Sequence, residues 1–157
     1  MISQQIMRQD PAYYLLYVLL RPDHAHTLIS YPYYAKYAVP GDRMEFYHID
    51  LDVSWAVHEG RGINLIQGSL SLDTESEEGC TVVIPGLHQH LPEWLQQVES
   101  CGGKLSNNVC KITKKEWNVD DKDYFGMTWT PYPCNAFDVC VLHPGLPHGS
   151  SGPAPSQ

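Results

Sequence analysis

Positive charge is scarce in this sequence. Its 157 residues carry 10 Lys and Arg against 18 Asp and Glu, a formal net charge of −8. Nucleic-acid backbones and anionic membranes are held by Lys and Arg, so neither is expected as a partner. Paired cysteines are lacking too. Cys80, Cys101, Cys110, Cys134 and Cys140 are odd in number, and no two are spaced as CxxC. Neither a zinc ribbon nor a disulfide framework is indicated, and the expectation is a reducing, cytoplasmic compartment with small thiols in the core. Long apolar runs are missing as well. The longest, AYYLLYVLL, runs only from Ala12 to Leu20, whereas a bilayer span needs about 20 residues. Arg8 precedes the run, but RPDHAH follows it in place of a small-residue cleavage site. It therefore reads as a buried strand or short helix and not as a signal peptide.

What is present points to a folded domain. Hydrophobic residues make up 43% of the chain, with 10 Tyr and 4 Trp. A chain of this size forms one domain, here 1–157, and buries roughly 70% of its unfolded surface. Pro and Gly, 12 of each, cut it into short runs. HTLISY, MEFYHIDLDV, INLIQGSLSL, CTVVIP, GMTWT and FDVCVLH read as strands. Turn signals separate them at VPGD (39–42), EGRG (59–62), DTESEEG (73–79), IPG (84–86), TPYP (130–133) and HPG (143–145). One segment has helical period. In LPEWLQQVES, Leu91, Trp94, Leu95 and Val98 fall on one face, Pro92 suits the first turn and CGG the stop. Residues 111–124 read as a polar surface excursion, and 149–157 as a flexible tail. The expected fold is mostly β, an antiparallel sandwich or jelly roll, between which periodicity does not choose.

The stretch YHIDLDV carries the first chemical signal. Strand alternation puts Tyr47, Ile49, Leu51 and Val53 on one face and His48, Asp50 and Asp52 on the other. His48 and Asp50 are close enough to reach one ion. By itself HxD is common, and a wet strand face with a surface His accounts for it. Near the other end, FDVCVLHPGLPHGSSGPA places two histidines, His143 and His148, after a strand. Two imidazoles and one carboxylate on one side of a metal leave its other positions open, which is the arrangement of non-haem Fe(II) oxygenases.

Taken in order, these stretches resemble the phytanoyl-CoA dioxygenase-like branch of the Fe(II)/2-oxoglutarate oxygenases. SYPYYAKYAVPGDRMEFYHIDLDV is similar to the strand leading into that family's HxD motif. INLIQGSLSLDTESEEGCTVVIPGLHQH is similar to the next hairpin, with EGC (78–80) and PGLH (85–88) as its marks. PEWLQQV resembles the following helix, and PHGSSGPA the distal HGS-type motif. The resemblance spans roughly residues 28–154 and is specific mainly at HID, PGLH and PHGS.

It implies a double-stranded β-helix, or jelly roll, with one or two short helices. It implies Fe(II) and 2-oxoglutarate as cofactors and oxidation of a small organic substrate, lipid-like or a secondary metabolite. Carried over by position, the metal ligands are His48, Asp50 and His148, with His143 as runner-up for the distal place. His88 reads as a turn or surface residue, and His24, His26, His58 and His90 as solvated or structurally hydrogen-bonded. Gln67, beside Gly68 in an apolar run, either lines the pocket and hydrogen-bonds the cosubstrate or faces outward.

The resemblance stops at one place. The family pairs the far carboxylate of 2-oxoglutarate with an Arg or Lys beyond the distal His, and none follows His148 here. The expectation is a jelly roll incomplete at its C-terminal end, a truncated member of the family. Substitution by Lys36 or Arg43 is a second account. The alternative function is a non-catalytic, cupin-like binding protein that has lost this anchor. A sheet lacking its last strand exposes an edge, through which self-association is expected.

Overall fold

The computed structural model describes residues 11–20, 47–60, 66–100, 102, 110–111 and 125–150. Backbone contacts divide the chain into two compact units, 1–37 and 38–157. His48, Asp50, Gln67 and His148 all belong to the second unit.

In the first unit, the apolar run forms helix α1, Pro11–Leu20. Pro11 stands at its first position, where a missing N–H costs nothing. Leu15 and Leu19, one turn apart, are exposed, so the run is a helix but not wholly buried. Among the described residues no helix is long and apolar enough to cross a membrane.

The second unit is built on antiparallel sheet. Its strands are β1 His48–Ile49, β2 Gln67–Leu70, β3 Thr81–Val83, β4 Cys110–Lys111, β5 Thr130–Tyr132, β6 Val139–Leu142 and β7 His148–Ser150. Five form one sheet in the order β4-β1-β7-β3-β5, and β2 and β6 form another. The pairing is nested: β1 meets β7, β2 meets β6, and β3 meets β5, all antiparallel. The late strands retrace the path of the early ones. In the same sheet β7 also pairs with β3, so His148 lies level with His48 on one side and Val83 on the other.

Among the described residues, two α-helices accompany the sheets, α2 Val53–Glu59 and α3 Leu91–Ser100, with a 3-10 turn over Leu87–His90 running into α3. Helix α3 buries Leu91, Trp94, Leu95 and Val98 as its spacing predicts. Helix α2 corrects the sequence reading, which extends the first strand to Val53. The chain bends at Asp50 and Leu51, and Asp52 becomes a helix cap. Its Oδ1 accepts the Trp55 N–H at 2.8 Å. At the other end Gly60 has φ 64° and donates its N–H to Ala56 O, a left-handed stop that suits glycine.

Two further expectations shift. TPYP is not a turn: Thr130–Tyr132 is β5, with Pro131 tolerated on a strand at the end of the sheet. Gly149 and Ser150 belong to β7 and not to a tail, because β3 pairs with them. The segments HTLISY, 112–124 and 151–157, with Lys36 and Arg43, lie outside the described residues.

The core gathers Ile49, Leu51, Val53 and Ala56 with Ile84, Leu87, Leu91, Trp94, Leu95 and Val98. Each large side chain buried this way is worth about 1.5–3 kcal/mol of transfer from water. Tyr47 and Trp129 pack against the cluster with ring centroids 4.8 Å apart. Burying Ile49 and Leu51 fixes the opposite face of the same stretch, the one bearing His48 and Asp50.

Candidate metal centre

Three side chains converge. His48, Asp50 and His148 each present one donor atom, and the three atoms lie within 4.8 Å of one another. His48 Nε2 is 3.2 Å from Asp50 Oδ1, and His148 Nε2 is 3.7 Å from Asp50 Oδ2. The two imidazole rings lie 4.3 Å apart, centroid to centroid. The elements explain the convergence. Alternation along 47–51 points His48 and Asp50 away from the core, and the β1–β7 register sets His148 directly opposite His48.

The distances suit a transition ion. Metal–ligand bonds of about 2.0–2.2 Å place adjacent donors roughly 3 Å apart. The His48–Asp50 pair has that spacing at 3.2 Å, and all three donor atoms lie within 4.8 Å of one another.

Hydrogen bonding decides between the two candidates for the distal ligand. His148 Nδ1 lies 2.9 Å from the Leu146 carbonyl oxygen. A carbonyl only accepts, so Nδ1 carries the proton and Nε2 keeps its lone pair for a metal. His143 is set the other way. The Gly145 N–H donates to His143 Nδ1 at 3.0 Å, so the neutral ring carries its proton on Nε2. The His143 and His88 rings lie 5.0 Å apart, centroid to centroid, tilted by 31°, and neither joins the three-residue cluster.

Charge states match the task. Asp50 is held below the usual carboxylate range, first by the hydrogen bond from His48, then by its attraction to His48, the Gln67 amide and His148, against burial, which opposes. Burial pushes His148 down, although the Leu146 carbonyl and Asp50 pull the other way. Near neutral pH the cluster therefore holds a carboxylate and a neutral His148 imidazole, the forms that bind metal.

Gln67 faces inward. From β2, in the other sheet, its Nε2 donates to Asp50 Oδ2 at 2.6 Å. That bond ties Oδ2 to the second sheet, while Oδ1 faces His48 Nε2 at 3.2 Å.

The remaining histidines are placed as follows. His88 is half-buried in the 3-10 turn, and burial lowers its pKa. His90 stacks on Phe125 at 5.4 Å. His58 is exposed at the end of α2, while His24 and His26 lie outside the described residues. The sequence reading misses Leu146, whose contribution is a backbone carbonyl that no residue type announces.

Comparison of the chain with protein-family models, with curated proteins and with solved structures found no match.

Proposed function

We propose that this chain is a non-haem Fe(II) oxygenase of the 2-oxoglutarate-dependent, phytanoyl-CoA dioxygenase-like kind, built on a jelly roll and oxidising a small organic substrate. One observation carries the reading: His148, from a late strand, brings a second imidazole to His48 and Asp50, and the three donor atoms lie within 4.8 Å of one another. That donor set fits iron and leaves coordination positions for cosubstrate and oxygen. The nested pairing supports the fold assignment. Early strands paired with late ones across two antiparallel sheets, with β1 on β7, β2 on β6 and β3 on β5, are compatible with a jelly-roll winding.

When bound, Fe(II) with 2-oxoglutarate supplies oxygen activation, with succinate and CO₂ released as substrate is oxidised. The protein's part is to hold and orient. His48 and His148 would each supply a ring nitrogen, Asp50 would offset part of the ionic charge, and the Leu146 carbonyl fixes the His148 ring.

Anaerobic Fe(II) titration of the wild type and of His48→Ala, Asp50→Ala and His148→Ala tests the ligand set. Equal binding by all four proteins removes it. Oxygen uptake coupled to succinate formation tests the cosubstrate. Bound iron without turnover supports the non-catalytic binding protein. Iron-dependent oxygen uptake indifferent to 2-oxoglutarate supports a different oxygenase using the same ligands.

A further inference from the structure

Gln67 has one half of its amide committed and the other half unused. Its Nε2 is spent on Asp50 Oδ2 at 2.6 Å. Its Oε1 is buried and has no hydrogen-bond partner among the described residues. Such an acceptor is costly to leave unmade, because water has been stripped from it and nothing replaces the lost bond. Turning the amide over does not help. It would set Oε1 against Oδ2, two acceptors with no hydrogen between them. Asp50 thus dictates the orientation, and Oε1 is held next to the metal centre wanting a donor. Leu142, paired with Gln67 in register on β6, has no polar side-chain group to offer.

We infer that Gln67 is a positioning residue of the metal centre, and that the coordination position beside it holds a water whose hydrogen Oε1 accepts. The inference rests on the metal reading and adds two things to it. Gln67 fixes the orientation of the Asp50 carboxylate by holding Oδ2. It also sorts the open positions. The keto and carboxylate oxygens of a 2-oxo acid carry no hydrogen, so Oε1 repels them and directs a chelating cosubstrate to the positions away from Gln67.

The experiment uses Mn(II) as the probe on the full chain, with affinity read from the electron paramagnetic resonance of free Mn(II). Exchange of bound water is read from solvent ¹⁷O relaxation at saturating Mn(II). Gln67→Leu and Gln67→Met remove both hydrogen bonds at similar size, and circular dichroism checks folding. Ser69→Ala, an exposed neighbour on β2, is the control. Expected are wild-type behaviour for Ser69→Ala, and for both Gln67 variants an affinity loss of about 10–100-fold with faster exchange of bound water. A folded Gln67 variant with wild-type Mn(II) affinity overturns the inference, as does unchanged water exchange. Wild-type protein that takes up no Mn(II) overturns the metal reading instead.

Discussion

His48 and His148 stand opposite each other on antiparallel strands, ring centroids 4.3 Å apart and planes tilted by 53°. The register of one strand pair, and no local motif, brings them together. Replacing either with Ala is expected to weaken Fe(II) or Mn(II) binding beyond the roughly 10–100-fold typical of outer-shell groups. His143→Ala, with its ring committed to the Gly145 N–H, is expected to stay within a few-fold of wild type. Isothermal titration under anaerobic conditions measures both.

The two rings should differ in tautomer. Long-range ¹H–¹⁵N spectra of the metal-free protein are expected to show His148 protonated on Nδ1 and His143 on Nε2. The same tautomer in both would remove the reason for choosing His148 as the distal ligand.

Stability without metal is expected to fall with acid in two stages. Burial depresses His88 and His148 below the ordinary value of 6.5. Their contribution is fully present above that value and is lost as pH drops through it toward their folded values, because the unfolded chain binds protons first. Asp50, held below 3.8 chiefly by His48, adds a second loss at lower pH. Urea midpoints at pH 8, 7, 6 and 5 should trace the first stage, and His88→Gln should flatten it.

Gly145 is a packing constraint on the turn that carries His148. A Cβ there would lie 2.8 Å from Leu91 Cδ1 and 3.2 Å from His143 Nδ1. Gly145→Ala is expected to cost about 1–3 kcal/mol, as overpacking does, and to lower metal affinity by shifting the turn. Denaturant unfolding and Mn(II) titration together check this; an unaffected protein would mean that the turn yields freely.

Asp50 and Asp52 look alike in sequence but differ in task. Asp52→Ala loses the cap of α2, at a cost of about 1 kcal/mol, and is expected to keep its metal affinity. Asp50→Ala should do the reverse: lose the metal, with a smaller change in stability.

Much of the site could be read from residue order, because it depends on local geometry. Alternation is a property of extended backbone, so Ile49 and Leu51 going inward sends His48 and Asp50 outward whatever else the chain does. The apolar period of 91–98 likewise defined the buried face of α3 before any partner was known. Even the missed helix α2 left signs in the sequence: Asp52 as a cap, Val53 and Ala56 three apart, and Gly60 as a stop. The alternation of 47–53 masks them, because Val53 suits a strand face as well as a helix face.

By itself, then, the sequence determined the donor types, their pairing two residues apart at His48 and Asp50, and the faces of the short elements around them. Tertiary structure alone decided three things. It set β7 between β1 and β3, so that His148 and not His143 completes the cluster. It aimed the Leu146 carbonyl at His148 Nδ1. It brought Gln67 from the second sheet onto Asp50. The physical reason is common to all three. Side-chain direction follows from each residue's own backbone, whereas strand register and hydrogen-bond partners depend on distant segments whose meeting is settled only when the core closes.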